Sequence, residues 1–401
     1  MMKKLKLAII GTGARGINCF GELLRKHDDV EITALCDTNP VRVKAAAEIL
    51  EISPNLYTSI GDMAAKETLD GVIITTPDCE HYSCAMQAMK HGWNVLIDKP
   101  LATNAKEGKA LIKEAEKSGV TLMLGFNLRH NEVLKRLKKF IDDGVLGKVF
   151  IAENREFYDG GRTYMSRWNR SFAKTGGLWI HKGSHDFDVF NWLLGFPKPL
   201  RVSSFAAVNV LDKDHLPFEL ESGIEPGPNC NCCHYQAKCK DKYLLSPEDL
   251  KLWGDEAVAA DGYVKNLCMY LSDKDNHDNG MAMVEYENGI KVSLFETFIG
   301  SKTDRLYTIG GDKAVAEVSL ENCTITITPR WGGDVVTYKV EIPEGGHGGA
   351  DPELVKTFCR VVRGEENSTS TAEHGLLATA LGEAAEISRR QHRMVEMSEI
   401  L

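Results

Sequence analysis

Residues 11–16 read Gly-Thr-Gly-Ala-Arg-Gly, and what surrounds them limits the fold more than any bulk property does. The run LKLAII before them reads as a buried strand, and INCFGELLRKH after them as a helix. In that setting Gly11 permits a tight turn, Gly13 close approach of a phosphate, and Gly16 close helix–strand packing. The helix N-terminus adds oriented N–H groups and the positive end of its dipole. With 36 glycines in 401 residues, the spacing alone would be weak evidence. Its context is stronger, because the next strand, VEITALCD, ends on an acid, Asp37. A carboxylate there accepts hydrogen bonds from adenosine ribose hydroxyls and repels a 2′-phosphate, which predicts NAD rather than NADP. Nearby Arg42 weakens that preference. The competing reading is a glycine turn in some other α/β fold.

The pattern continues as a strand–helix alternation through GVIITTP, HYSCAMQAMKHG, NVLIDKP, NAKEGKALIKEAEKSG and TLMLGF. Helices of this length between strands make right-handed βαβ units and a parallel sheet. From about Lys148 the texture changes to alternating strands such as KVFIAENREFY, MAMVEYENG and IKVSLFETF, joined by Gly- or Asn-containing turns. The expected fold class is therefore α/β: a Rossmann domain over residues 1–126, then an α+β domain over 127–401 with a large, mostly antiparallel open sheet. Helices from Pro352 to Val362 and from Ala372 to Gln391 close the chain and are expected to pack back on the first domain. The least regular stretch, about 211–278, reads as an insertion.

Hydrophobic residues at 43% and charged residues at 26% fit a soluble globular chain, and no apolar run is long enough to cross a bilayer. The opening MMKKLKLAIIGTG has a leader's basic and apolar parts, but its apolar run is short and meets the glycines without a cleavage-like site. The expectation is a cytoplasmic protein that does not bind membranes. A net charge of −9 argues against a nucleic-acid partner.

Taken with GTGARG, the segments TTP (Thr75–Pro77), DKP (Asp98–Pro100) and GGLWIHKGSHDFD (Gly176–Asp188) give the chain a further character. It resembles the glucose–fructose oxidoreductase/inositol dehydrogenase family over nearly its whole length. The resemblance implies NAD(P)-linked redox chemistry on sugars, cyclitols and their derivatives, and a homodimer or homotetramer built through the second sheet. Cofactor contacts are then expected from Gly11, Gly13, Ala14, Arg15, Gly16 and Asp37, and from Thr75, Thr76, Pro77, His81, Asp98, Lys99 and Asn127.

Lys99 stands at the end of a parallel strand, where open α/β sheets bind ligands. There an ammonium polarises a substrate oxygen or stabilises a developing alkoxide; the competing reading is a surface lysine. His185 matches the family's histidine near the substrate hydroxyl, and imidazole suits proton removal near neutrality. His181 stands where the family usually has aspartate. It can accept a hydrogen bond, relay a proton or, when charged, favour an anionic substrate, as would Lys182. Paired histidines four apart also admit a metal, although the redox chemistry needs none. Helical spacing puts His181, His185 and Asp188 on one face, with Asp188 orienting His185 or supporting the helix from beneath. Tyr158, Arg162 and Trp168, in YDGGRTYMSRWNR, offer aromatic faces and a guanidinium to a sugar, or else form an exposed basic loop. A redox-neutral cleavage of a glycoside through a keto intermediate, with cofactor recycled in place, is one alternative. A non-catalytic NAD-binding sensor is another, against which intact Lys99 and His185 argue.

The 11 cysteines are an odd number, and CNCCHYQAKC gathers Cys230, Cys232, Cys233 and Cys239. Cys230 and Cys233 have zinc-knuckle spacing, with Cys239 and Cys268 able to complete a structural zinc site. Disulfides and free thiols are the alternatives.

Overall fold

The computed structural model describes residues 4–401. The first strand, β1 (Leu5–Ile10), has Leu7, Ala8 and Ile9 fully buried, as the centre of a sheet covered on both faces requires. A π-helical turn over Gly16–Gly21 runs into α1 (Glu22–Leu24). Then come β2 (Val30–Cys36), α2 (Pro40–Ile49), β3 (Asn55–Tyr57), α3 (Ile60–Ala64), β4 (Gly71–Ile74) and α4 (Asp78–Lys90). The domain continues with β5 (Asn94–Ile97), α5 (Ala105–Ser118) and β6 (Leu122–Leu124). All pairings are parallel, in the order β3-β2-β1-β4-β5-β6. The reversal of order at β1 and β4 creates the crevice where such sheets take ligands. Local signals agree with the global pattern. Asn39 accepts from the N–H groups of Val41 and Arg42 and caps α2, with Pro40 in its first turn.

The second domain begins with α6 (Glu132–Asp142) and β7 (Val149–Phe157). The short α7 (Gly161–Tyr164), α8 (Phe172–Thr175) and α9 (Leu178–His181) lead to α10 (Gly183–Leu193) and β8 (Pro199–Ala207). Between β8 and the next strand lie α11 (Pro247–Trp253) and α12 (Asp255–Asp261) and no strand, in keeping with an insertion. The sheet resumes with β9 (Asn279–Tyr286), β10 (Lys291–Thr297), β11 (Asp304–Gly311), β12 (Ala314–Ser319), β13 (Thr324–Pro329) and β14 (Val336–Lys339). The chain closes with α13 (Gly346–Val362), α14 (Ala372–Gln391) and β15 (Val395–Glu396).

The nine strands order as β14-β13-β12-β11-β7-β10-β9-β8-β15, with β7 and β10 parallel and every other pair antiparallel. The mixed sheet matches the expected fold class. One face packs on α10 and α14; there Tyr286 donates to Asn191 Oδ1 (2.9 Å) and Ser204 to the Ala385 carbonyl (2.6 Å). Leu354, Val355 and Phe358 of α13 join the apolar cluster of Leu7, Ile9 and Ile73 under the Rossmann sheet. Each such side chain taken fully from water contributes roughly 1.5–3 kcal/mol, so α13 fastens the two halves together. Among the described residues no helix is long and apolar enough to cross a membrane.

Candidate active site

The glycine turn separates its three positions by function. A Cβ on Gly11, whose φ is +93°, would lie 2.7 Å from the Thr76 nitrogen, and one on Gly16 would lie 2.3 Å from the Gly11 carbonyl. A Cβ on Gly13 would meet nothing within 4 Å. The outer two glycines are thus required by the turn and its packing, while the middle one opens onto a cavity of about 1120 Å³ between the domains. That opening and the helix N-terminus behind it fit a pyrophosphate. Gly11, Gly13, Ala14, Arg15 and Asp37 line the cavity; Gly16 sits beneath them.

Asp37 is held from several sides. Its carboxylate accepts from the Thr12 N–H (2.8 Å), the Thr12 hydroxyl (3.0 Å), the Asn39 N–H (2.9 Å) and Arg42 Nη1 (3.2 Å). The Arg42 guanidinium also donates to Asp261 (2.8 Å), so two carboxylates occupy it. The charge that weakened the preference for NAD in the sequence is neutralised in the structure.

Toward the other end of the cavity stand Thr75, Thr76, Pro77, His81, Asp98, Lys99 and Asn127. The His81 ring nitrogens face the Pro100 (2.7 Å) and Thr76 (3.1 Å) carbonyls, tying the two strand ends together. Arg15 is engaged by Asp98 (3.0 Å) and forks onto Asp351 (3.0 and 3.1 Å), so its charge is matched by carboxylates. Asp351, on α13, accepts from Asn127 (2.8 Å) and His347 (2.8 Å) as well. Burial alone would raise its carboxyl; the His347 hydrogen bond and Arg15 override this and hold it well below the usual carboxylate range. Two cavity-lining oxygens, Thr76 Oγ1 and Asn127 Oδ1, are buried without a protein partner. Buried polar atoms are normally paired, so these two oxygens fit a polar ligand in the cavity.

The second domain contributes His181, Lys182 and His185. Lys99 Nζ donates to the His181 carbonyl (2.6 Å), joining the end of the Rossmann sheet to α9. Burial first, and then the neighbouring Lys182 and Arg15 charges, pull the Lys99 ammonium below the ordinary lysine value against the pull of Asp78 and Asp98. His185 lines the cavity with Nδ1 buried and unpartnered. Burial and the positive charge of Lys99 push its pKa well below the usual histidine value, which favours the neutral ring.

His181 is placed differently from the relay envisaged for it. Its Nδ1 meets Asp78 Oδ2 at 2.6 Å and its Nε2 meets the Asn169 side-chain nitrogen at 2.9 Å. A neutral ring protonated on Nδ1 satisfies both contacts. Burial and the Lys99 charge favour that form, pushing the ring well below the usual histidine range. With both nitrogens taken by the protein, His181 bridges the domains and has no free nitrogen for substrate. Lys182 is likewise matched: its Nζ lies 2.8 Å from Glu156 and 4.6 Å from the centre of the Tyr158 ring.

His181 and His185 both line the cavity, joined through Lys182, whose backbone stays in the right-handed helical region between α9 and α10. Two expectations need correction. Asp188 does not line the cavity; both its oxygens pair with the Arg129 guanidinium (2.8 and 2.6 Å) beneath α10. Arg162 also lies off the cavity, drawn to Asp159 by an ion pair on α7, and Arg167 lines it instead. Tyr158 and Trp168 do line it.

Zinc is not shown: among the described residues no group of three or more His, Cys, Asp or Glu side chains placed to hold a metal is found. The four cysteines are neighbours all the same, since after burial the Cys268, Cys239 and Cys233 thiols add to the upward shift of Cys230. Cys230, Cys233, Cys239 and Cys268 are free thiols. Cys233 Sγ is occupied as acceptor for the Gly227 N–H (3.4 Å).

Sequence reading missed Asp78, Asn169, Glu156, Arg305 and Asp351. For Asp78 a signal existed, an acid directly after TTP in the first turn of α4. For Asn169 the quoted aromatic and basic stretch held it, but its neighbours drew the attention. Arg305, which pairs with Glu156 (3.0 Å) and Asp186 (3.1 Å), meets these partners only through the tertiary fold, as Asp351 does its own, and nothing local marks them.

A Rossmann sheet with its glycine turn and a second, mixed-sheet domain thus meet at one cavity. Both halves match the Gfo/Idh/MocA oxidoreductases: the NAD-binding Rossmann fold over residues 5–126 and the C-terminal alpha/beta domain over 138–397. The chain belongs to that family. YteT of Bacillus subtilis, which carries an oxidoreductase name, is 26% identical over 98% of each chain. A 2,7-anhydro-N-acetylneuraminate hydratase of Mediterraneibacter gnavus is 28% identical, over 48% of this chain and 50% of that protein. Among solved structures, a levoglucosan dehydrogenase in complex with NADH and levoglucosan shares the fold at a TM-score of 0.73. It is 17% identical over 98% of this chain and 100% of that one.

Proposed function

We propose that this chain is an NAD-dependent oxidoreductase acting on a hydroxyl or carbonyl of a sugar, glycoside or cyclitol. The observation that carries this reading is the shared cavity: Gly13, Lys99 and His185 all line it, with Gly13 open on its Cβ side and His185 Nδ1 unpartnered in the protein. Bound NAD supplies the hydride acceptor. Lys99 holds the substrate oxygen and stabilises the negative charge that develops there. His185 takes the hydroxyl proton in oxidation and returns it in reduction. Asp78 and Asn169 fix the His181 ring, and through the His181 carbonyl they fix Lys99. Tyr158 and Trp168 offer aromatic faces to a sugar ring. The test is a screen of pyranosides, free sugars, cyclitols and uronates for the near-ultraviolet absorbance of NADH. Failure of every class to reduce the cofactor would defeat the dehydrogenase reading.

A second reading keeps the same residues but closes the redox cycle within the site. The hydratase relative favours it, since addition of water involves no net oxidation. Product formed with no free NADH released would select this reading over the first.

NAD is expected to bind at least about tenfold more tightly than NADP, a difference near 1.4 kcal/mol. A 2′-phosphate would meet Asp37 and Asp261, with Arg42 already committed to both. Titration of the cofactor-free protein with both dinucleotides checks this, and Asp37→Ser should narrow the gap. Equal affinities would refute it.

Self-association is proposed through the open face of the second sheet. There Phe205, Met281 and Phe295 stand side by side in register, with Phe205 71% and Met281 55% exposed. An apolar row of this kind is an association surface.

A further inference from the structure

The insertion does more than decorate the second domain, because it returns to the Rossmann domain and meets it at the adenosine end of the cavity. Asp261, the last residue of α12, pairs with Arg42 of α2, which pairs in turn with Asp37. Asn39 is fully buried and donates to the Ala257 carbonyl at 2.9 Å. Leu252 and Trp253 of α11 belong to the apolar cluster that holds Ala46 and Leu50 of the Rossmann domain. Trp253, Asp261 and Tyr263 line the cavity together with Asp37, Thr38 and Ile60. The other end of the strap is fixed to the second domain: Arg170 pairs with Asp273 (2.6 Å), and Ser272 donates to the Met165 carbonyl (2.6 Å). The strap is therefore tied on both sides of the cavity and crosses it where the ribose-binding acid stands.

We propose that the insertion is a clasp that closes over the adenosine half of bound NAD, with Asp261 and Tyr263 as its contact residues, and that it slows departure of the dinucleotide. This rests on the NAD reading above. For the adenosine to leave, the strap must lift, and lifting breaks the Arg42–Asp261 pair, the Asn39–Ala257 hydrogen bond and the apolar contacts of Trp253 together. Binding then carries a slow dissociation step that a bare Rossmann crevice lacks. A cofactor retained in this way suits chemistry in which one dinucleotide serves many turnovers. Asp261 also adds a second carboxylate against a 2′-phosphate, so the clasp selects as well as retains.

The test needs no substrate. NADH is loaded on the full chain, chased with excess NAD, and its release is followed by the loss of energy transfer from tryptophan. Asp261→Ala is expected to speed release by about tenfold, the loss of roughly one pairing interaction. It should also narrow the gap between NAD and NADP by freeing Arg42. Tyr263→Ala should speed release without changing that gap, and it decides the matter if Asp261→Ala fails to fold. Lys238→Ala, at an exposed site of the insertion away from the cavity, should release NADH at the wild-type rate. Wild-type protein that binds no NADH would overturn the dinucleotide reading and the clasp with it. Binding with equal release rates in wild type, Asp261→Ala and Tyr263→Ala would overturn the clasp alone.

Discussion

Lys99→Ala is expected to lower turnover of a verified substrate by about a hundredfold or more, while NAD affinity changes little. In the proposed reaction the dinucleotide is held by the Gly11–Gly16 turn and Asp37, whereas the Lys99 ammonium would stand where charge develops on the substrate oxygen. The pH profile sharpens the test. Lys99 acts as a cation, and burial lowers its folded-state pKa, so its contribution is present at lower pH and is lost as pH rises through that lowered value. An alkaline limb should therefore fall below the ordinary lysine range. His185 acts as a base and is pushed well below the usual histidine value, so the acid limb should lie below that value too. Lys99→Arg, whose charge persists through the alkaline range, should move the alkaline limb upward even where its rate is poor. His185→Ala should remove the acid limb and slow turnover by about a hundredfold. NAD titration of each variant separates lost chemistry from lost fold. Wild-type turnover in Lys99→Ala would remove Lys99 from the reaction.

The parts of this molecule that were legible in the sequence are those written in local pattern. A glycine turn between a strand and a helix, with an acid at the end of the next strand, is a contiguous signal, and its geometry follows from sterics. Strand periodicity did the same for the second sheet, because alternation records which face is covered. The site itself was legible only one residue at a time. His185 and Lys99 could be named, but the sequence did not place Asp78 beside His181, since that contact crosses the domain boundary. The His181 departure reads differently once Asp78 is seen: an acid still serves this corner of the cavity, reached from α4 through an imidazole. Spacing left Asp188 between orienting His185 and supporting the helix from beneath, and the choice depends on Arg129, which only the tertiary fold brings against it. For the cysteines, the two-residue gap between Cys230 and Cys233 says nothing of Cys239 and Cys268, which the tertiary fold brings near Cys230. The insertion's irregularity was visible, yet its path back to Arg42 was not.

Asp188→Ala is expected to destabilise the protein by about 3–5 kcal/mol, the cost of leaving a buried charge without its partner. The Arg129 side chain is 4% exposed and that of Asp188 is 2% exposed. Both carboxylate oxygens accept from the guanidinium, which also donates to the Thr369 carbonyl. The Phe126 and Phe196 rings flank Arg129, with centres 5.5 and 5.2 Å from the guanidinium carbon, so little water is available to replace a lost partner. The pair need not be strongly stabilising for its rupture to be costly. Burial holds the Asp188 carboxyl above its usual range even with Arg129 pulling it down, which is the mark of a desolvation penalty only partly offset. Removing both charges is therefore a different experiment from removing one. The double variant Arg129→Met/Asp188→Leu should recover more than half of the loss, falling short because the Thr369 carbonyl gives up its donor. Denaturant unfolding of the single and double variants measures the difference. Because Asp188 is on the side of α10 that faces Arg129 and does not line the cavity, the fraction of Asp188→Ala that folds should keep a near wild-type KM. A raised KM with unchanged stability would place Asp188 on the substrate side and overturn its role as the counter-charge to Arg129.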